Sequence, residues 1–123
     1  MTNPVFHFEI PVREMDRAVA FYEAVFGWRL TRTQVDGYDM AFFPRDDAAP
    51  GASGALAQGD VYIPTTSGAI IYFDVPRIDP VLQRTVAHGG RVLLNKRHIG
   101  DAGWVAEIED CEGNRIGLTA TVE

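Results

Sequence analysis

The chain has 123 residues, one cysteine, a net charge of −6, and 46% hydrophobic against 23% charged residues, which is the size and composition of one globular domain with a core of its own. The acidic balance argues against nucleic acid, whose phosphates need clustered Lys and Arg, and no apolar run reaches membrane-span length. With no basic-then-apolar leader at the start and with Cys111 unable to form an internal disulfide, a cytoplasmic protein without membrane or nucleic-acid partners is expected.

Residues 5–10 alternate with period two. Phe6, Phe8 and Ile10 share one face, while Val5, His7 and Glu9 share the other, as in a half-buried strand. "REMDRAVAFYEAVFGW" then changes period: Met15, Ala18, Val19, Tyr22 and Phe26 recur at helical spacing, and Gly27 is placed to end the helix. "WRLTRTQ" and "GYDMAFF" read as strands joined by a turn at Asp36 and Gly37. Residues 44–68 are rich in Pro, Gly, Ala and Ser and read as a mobile connection around one short strand at residues 53–58. "AIIYFDVP" is a second alternating strand. A second helix follows, with Asp79 as N-cap, Pro80 at the first helical position and Gly89-Gly90 as the stop. "RVLLNKR", "GWVAEIED" and "NRIGLTATV" complete the chain as strands, the last two joined by a hairpin turn at "DCEG".

This is strand, helix, strand, strand, strand, written twice, at about residues 4–58 and 69–121. Residues return with the order: "FEIP" as "FDVP", "FGWRL" as "GGRVL", and "GYDMAFF" as "GWVAEIE". One such unit cannot bury its sheet face alone, so two must share a core. The expected fold is α+β: two tandem βαβββ modules forming a curved, barrel-like mixed sheet, with helices on one face and a concave cavity on the other. Parity puts Phe6, Phe8 and Ile10 under the first helix and Ile71, Phe73 and Val75 under the second. Val5, His7, Glu9, Ile70, Tyr72 and Asp74 are left for the concave side. A slip of one residue would bury Glu9 and Asp74 in apolar surroundings. Glu107 shares a face with Val105 and Glu109, and Gly117 with Arg115 and Thr119.

The residues "HFEIPV…MDRAVAFYEAVFGW", the Gly89-Gly90 stop and "EDCEGNRIGL", which is similar to a "DPDG" hairpin, carry a family resemblance. Across essentially its whole length, as a single domain over residues 1–123, the chain resembles the vicinal oxygen chelate superfamily of glyoxalase I, bleomycin-resistance proteins and extradiol dioxygenases. It looks closest to the small glyoxalase-like members without an assigned substrate. The resemblance implies, for metal-binding members, four ligands on the first and last strands of the two modules, usually His or Gln and Glu. They hold a divalent ion open to two adjacent substrate oxygens while a carboxylate moves a proton. His7 matches the first position. Its counterpart is Ile70 when counted from Gly89-Gly90 and Tyr72 when counted from the "FEIP"/"FDVP" match. The last-strand positions fall near Ala55 and on Gly117. Gln58 is the only side chain of residues 53–58 able to coordinate, and Asp60 is the other residue to watch. One retained histidine does not hold a catalytic divalent metal, so no cofactor is expected.

The expected ligand pocket comprises His7, Glu9, Tyr72, Asp74, Trp104 and Glu107, with Glu9 and Glu107 as candidate catalytic carboxylates. Each has a plainer alternative: His7 as a hydrogen-bonded core residue, Glu9 and Asp74 as partners of Arg115 or Arg91, Tyr72 and Trp104 as interface residues. Trp28 reads as core or dimer contact, His88 as a cation suited to a helix C-terminus, and His98 as solvated. Cys111 lacks a basic neighbour and does not read as a nucleophile. The function these features support is a small-molecule-binding protein or metal-independent enzyme, similar to relatives that complete their cavity in a homodimer, with a cationic or hydroxyl-rich ligand. The alternatives are a metal-dependent lyase, isomerase or dioxygenase with His7 as ligand and Glu9 or Glu107 as base, and a partner-binding module without a small-molecule site.

Overall fold

The computed structural model describes residues 3–123. The first unit runs β1 (His7–Val12), α1 (Met15–Phe26), β2 (Thr31–Val35), β3 (Tyr38–Phe42) and β4 (Ser53–Gln58). The second runs β5 (Ile71–Asp74), α2 (Ile78–Ala87), β6 (Arg91–His98), β7 (Trp104–Glu109) and β8 (Arg115–Ala120). The sheets are ordered β1-β4-β3-β2 and β5-β8-β7-β6. In each, the first strand runs parallel to the last and the remaining pairs are antiparallel. The βαβββ repeat is therefore a repeat of topology, and the mixed sheet comes as two separate four-stranded sheets.

Local chemistry sets most of the boundaries. Asp36 and Gly37, with φ of 53° and 83°, turn β2 into β3 as a two-residue hairpin with both φ positive requires. Gly27 takes φ 76°, and its N–H donates to the Glu23 carbonyl at 2.9 Å, ending α1. Gly90 answers to packing: a Cβ there would lie 2.6 Å from the Glu109 carbonyl oxygen and 2.8 Å from Thr85.

Two expectations are corrected. Phe6 precedes β1, is 76% exposed and lies beneath the Arg45 guanidinium, 5.4 Å from the ring centre, instead of packing under α1. The α1 side of β1 is made by Phe8, Ile10 and Val12. Helix α2 starts at Ile78, with Arg77 rather than Asp79 at the N-cap position. Burying Ile78 draws that residue into the helix, and the Asp79 carboxylate accepts from Lys96 Nζ at 2.9 Å. Pro80 still falls in the first turn, where a missing N–H costs nothing.

The helices also settle the internal alignment. Met15 opens α1 and Ile78 opens α2, both buried. Counting back equally from these two residues pairs Ile10 with Phe73 and Glu9 with Tyr72, and it places Ile70, not Tyr72, opposite His7. The ladders agree, because Glu9 faces Ala55 and Tyr72 faces Gly117. The "FEIP"/"FDVP" similarity is two residues out of structural phase.

Helix α1 has no capping side chain of its own, with Glu14 at the N-cap position. Its exposed N–H groups are satisfied from far along the chain. Gln58 Oε1 accepts from Met15 N at 2.7 Å, and Glu112 Oε1 accepts from Arg13 N and from Glu14 N, the latter at 3.1 Å. Glu112 Oε2 takes Arg17 Nε at 2.6 Å. In the same turn, Asp110 accepts from the buried Tyr22 hydroxyl at 2.6 Å and from the N–H groups of Glu112 and Asn114 at 2.9 Å each. Asn114 in turn donates to the Pro11 carbonyl at 2.7 Å. The β7–β8 turn of the second unit thus docks on the entry to α1, while Arg84 of α2 donates to the Val25 carbonyl at the other end, at 3.2 Å.

Burial works to raise the Glu112 pKa, but Arg17 and the two backbone donors outweigh it and hold the carboxyl below its ordinary 4.5. Its contribution to stability is therefore complete above that pH and is lost as pH falls through the lowered value. Glu112→Ala is expected to cost about 2–3 kcal/mol in urea unfolding at neutral pH, and Gln58→Ala about 1 kcal/mol. Glu112→Gln should flatten the decline of stability below pH 4.5; an unchanged slope would show that Glu112 contributes nothing to acid unfolding.

Candidate functional site

On β1 the side chains away from α1 are His7 and Glu9, whose Nε2 and Oε2 atoms are 3.4 Å apart. Tyr62, from the segment after β4, donates its hydroxyl to Glu9 Oε1 at 2.8 Å. That bond, more than burial, raises the Tyr62 pKa above 10.0, so the phenol stays protonated and keeps donating. Small residues make room beneath: Ala55 and Ala57 are buried with Met40, and Tyr38, Phe42 and Tyr62 pack against them.

The second sheet carries a matching group. Tyr72 and Glu107 flank Gly117 in neighbouring strands. The Tyr72 hydroxyl donates to Glu107 Oε2 at 3.4 Å, and Arg115 Nε donates to Glu107 Oε1 at 2.5 Å. Glu107 is only 7% exposed, so this ion pair is what makes its burial tolerable. Burial and then the Glu107 charge raise the Tyr72 pKa, which keeps that hydroxyl a donor as well.

The two groups meet where the sheets adjoin. Glu9 from the first unit and Arg115 from the second line one cleft of about 150 Å³, together with Pro11, Thr65, Ile71 and Asn114. His7 lines a neighbouring cavity of about 260 Å³ with Phe42, Arg45 and Ser53. Asp74 is directed elsewhere, to a cleft beside Trp28. Trp104 lies on the helix-covered face with Ala106 and Ile108, its ring 5.3 Å from Lys96 Nζ and 4.9 Å from the His98 ring. The expected pocket residues are thus divided: Glu9 lines the cleft with Arg115, His7 the neighbouring cavity, Tyr72 and Asp74 the cleft beside Trp28, and Glu107 is buried against Arg115 and Tyr72. Tyr62 was missed because a loop tyrosine shows no period. Arg115 was visible on the Gly117 face, but as a partner for Glu9 or Asp74 rather than for Glu107.

The donor set does not fit a divalent ion at the positions the resemblance implies. Counted from the helices, these are His7, Ala55, Ile70 and Gly117, and only His7 has an atom that can ligate. The Tyr72 ring also lies over Gly117, so a Cβ there would sit 2.5 Å from a ring carbon, and a larger residue would have to displace that ring. Gln58 is committed to capping α1, and exposed Asp60 lines a separate cleft with Arg13 and Ile63. Among the described residues no three His, Cys, Asp or Glu side chains are grouped to hold a metal. Burial, then Asp110 and Glu112, push the Cys111 thiol up to about 12, away from the thiolate form.

Gly117→Ala should destabilise by about 1–2 kcal/mol, because the new Cβ displaces the Tyr72 ring from Glu107. In a background of Tyr72→Ala the same change should cost close to nothing. A double-mutant cycle by urea unfolding measures this coupling, and additive penalties would refute the contact.

Residues 5–118 match the Glyoxalase/Bleomycin resistance protein/Dioxygenase superfamily. A mycobacterial protein provisionally designated glyoxylase CFP32, from Mycobacterium tuberculosis and Mycobacterium bovis, is 27% identical over 125 residues, covering 89% of this chain and 42% of that one. The chain thus spans less than half the length of these curated relatives. Among solved structures, a glyoxylase/bleomycin resistance protein/dioxygenase domain from Frankia sp. superimposes with a TM-score of 0.73 at 18% identity, covering 98% of both chains. A glyoxalase I variant from Zea mays gives 0.71 at 16% identity, over 96% of this chain and 47% of that one. The fosfomycin resistance protein FosX from Listeria monocytogenes gives 0.68 at 19%, over 98% and 92%. At these identities the structures speak to the fold, and no helix among the described residues is long and apolar enough to cross a membrane. The twice-written βαβββ order, the "EDCEGN" turn docked on α1 and the match over residues 5–118 agree: this chain belongs to the Glyoxalase/Bleomycin resistance protein/Dioxygenase superfamily.

Proposed function

We propose that this chain binds a small organic molecule, as a sequestering protein or as an enzyme needing no metal, in the cleft between Glu9 and Arg115. The observation that carries this is a mostly apolar cleft with Glu9 and Arg115 at its walls, paired with family ligand positions that hold Ala55, Ile70 and Gly117. The Arg115 charge is matched by Glu107, whereas Glu9 has only a phenol and an imidazole nearby. That imbalance supports a cationic or hydroxyl-rich ligand. In an enzyme of this kind Glu9 is the group placed to take a proton, with Tyr62 orienting it; Glu107, tied to Arg115, is the weaker candidate.

About 150 Å³ is less than the roughly 300 Å³ at which small-molecule pockets begin. This supports a homodimer in which a second copy completes the site. Sedimentation at micromolar concentration should give a dimer, and a monomer would overturn that part of the reading.

A screen of cationic and polyhydroxylated compounds should yield at least one that raises the melting temperature by about 5 °C at tenfold excess over its Kd. Glu9→Gln or Tyr62→Phe should weaken that compound about tenfold, as loss of a hydrogen bond to a charged group does, without lowering the melting temperature of the free protein. A metal-dependent reading predicts instead a stoichiometric divalent metal in the purified protein that is lost with His7→Ala. Elemental analysis giving that result would replace this proposal.

A further inference from the structure

The structure assigns a second site, apart from the Glu9–Arg115 cleft: an aromatic cleft at the edges of β1 and β5 that fits an organic cation. Its volume is about 330 Å³, and its walls include Phe8, Trp28, Phe43, Tyr72 and Phe73, with Asp74 beside them. Packing pre-organises the walls. The Trp28 indole stacks on Phe26 with centroids 4.5 Å apart and planes at 10°, and Phe43 and Phe73 meet it edge-on at 5.6 Å and 5.1 Å. Phe8 packs against both Phe43 and Phe73 at 5.9 Å. Phe43 and Phe73 are buried behind the wall, so the rings partly open to a ligand are those of Phe8, Trp28 and Tyr72, and such rings attract a cation and accept its apolar groups at the same time.

Asp74 supplies the charge. No described side chain forms an ion pair with Asp74, which is exposed at the end of β5. No lysine or arginine lines this cleft, and the chain as a whole carries −6. An anion is therefore repelled, and a neutral aromatic ligand would leave the carboxylate unused. An ammonium bearing an aryl or alkyl group uses both features. Trp28, which the sequence pattern suggests as core or dimer contact, becomes a ligand-facing wall.

The test uses a Trp104→Phe protein, in which Trp28 is the only tryptophan, and reads its emission during titration with benzyltrimethylammonium at constant ionic strength. Benzyl alcohol serves as the neutral comparison. Expected are a saturable change, binding of benzyl alcohol at least about tenfold weaker, and a loss of about fivefold with Asp74→Asn, the size of one exposed charge contact. High salt should weaken the cation but leave benzyl alcohol unaffected. His7→Ala and Glu9→Gln should leave this titration unchanged, which separates the site from the Glu9–Arg115 cleft. No saturable change, equal affinity for benzyl alcohol, or indifference to Asp74→Asn would each overturn the assignment.

Discussion

The docking of the β7–β8 turn on the start of α1 is the constraint on which the remainder of the molecule depends. A helix without a local N-cap presents unsatisfied N–H groups, and α1 receives its acceptors from Glu112 and Gln58. Asp110 meanwhile reaches the Tyr22 hydroxyl inside the core. A single turn of the second unit therefore joins β1, α1 and β8, and through Asn114 it also holds the chain at Pro11. With the units fixed this way, Glu9 and Arg115 come to line one cleft although they belong to different sheets.

The same constraint gives the residues of the β7–β8 turn a structural duty of their own. Asp110, Glu112 and Asn114 are buried and make hydrogen bonds that no other residue types would supply together. Replacing any of them leaves a buried donor or acceptor unpaired. His7 and Ile70 are exposed and make no buried hydrogen bond of this kind, and Ala55 is buried but presents only a methyl group. Gly117 is a case of another kind. The Tyr72 ring lies over the space a side chain there would need, and that ring in turn reaches Glu107. An aromatic hydroxyl and an Arg–Glu pair stand where the resemblance would place a carboxylate ligand.

Much of the fold was legible because periodicity responds to one-sided burial. The exchange of period two for helical spacing after Val12, the Asp36-Gly37 turn and the short strand at Ser53–Gln58 all follow from residue types whose effect is local. Errors came where burial outbid a local signal. Ile78 extends α2 past its expected start at Asp79, and Phe6, apolar and in phase, stays outside because β1 has not begun. The quoted "FEIP" and "FDVP" similarity misled by two positions. Alternating strands of one composition resemble each other at any even offset, and only the helices they feed settle the register.

By itself, the sequence determined the βαβββ repeat and the face on which His7, Glu9 and Tyr72 stand, but it left the counterpart of His7 open between Ile70 and Tyr72. The repeat and the face are properties of residue type and parity, which need no knowledge of neighbours distant in the chain. Only the tertiary structure decided that Tyr62 serves Glu9, that Arg115 serves Glu107, that Gln58 caps a helix, and that Asp74 stands with Trp28 rather than with His7. Each of those depends on which of several chemically adequate partners the packing of two units brings within about 3 Å, the reach of a hydrogen bond, and no periodicity encodes that choice.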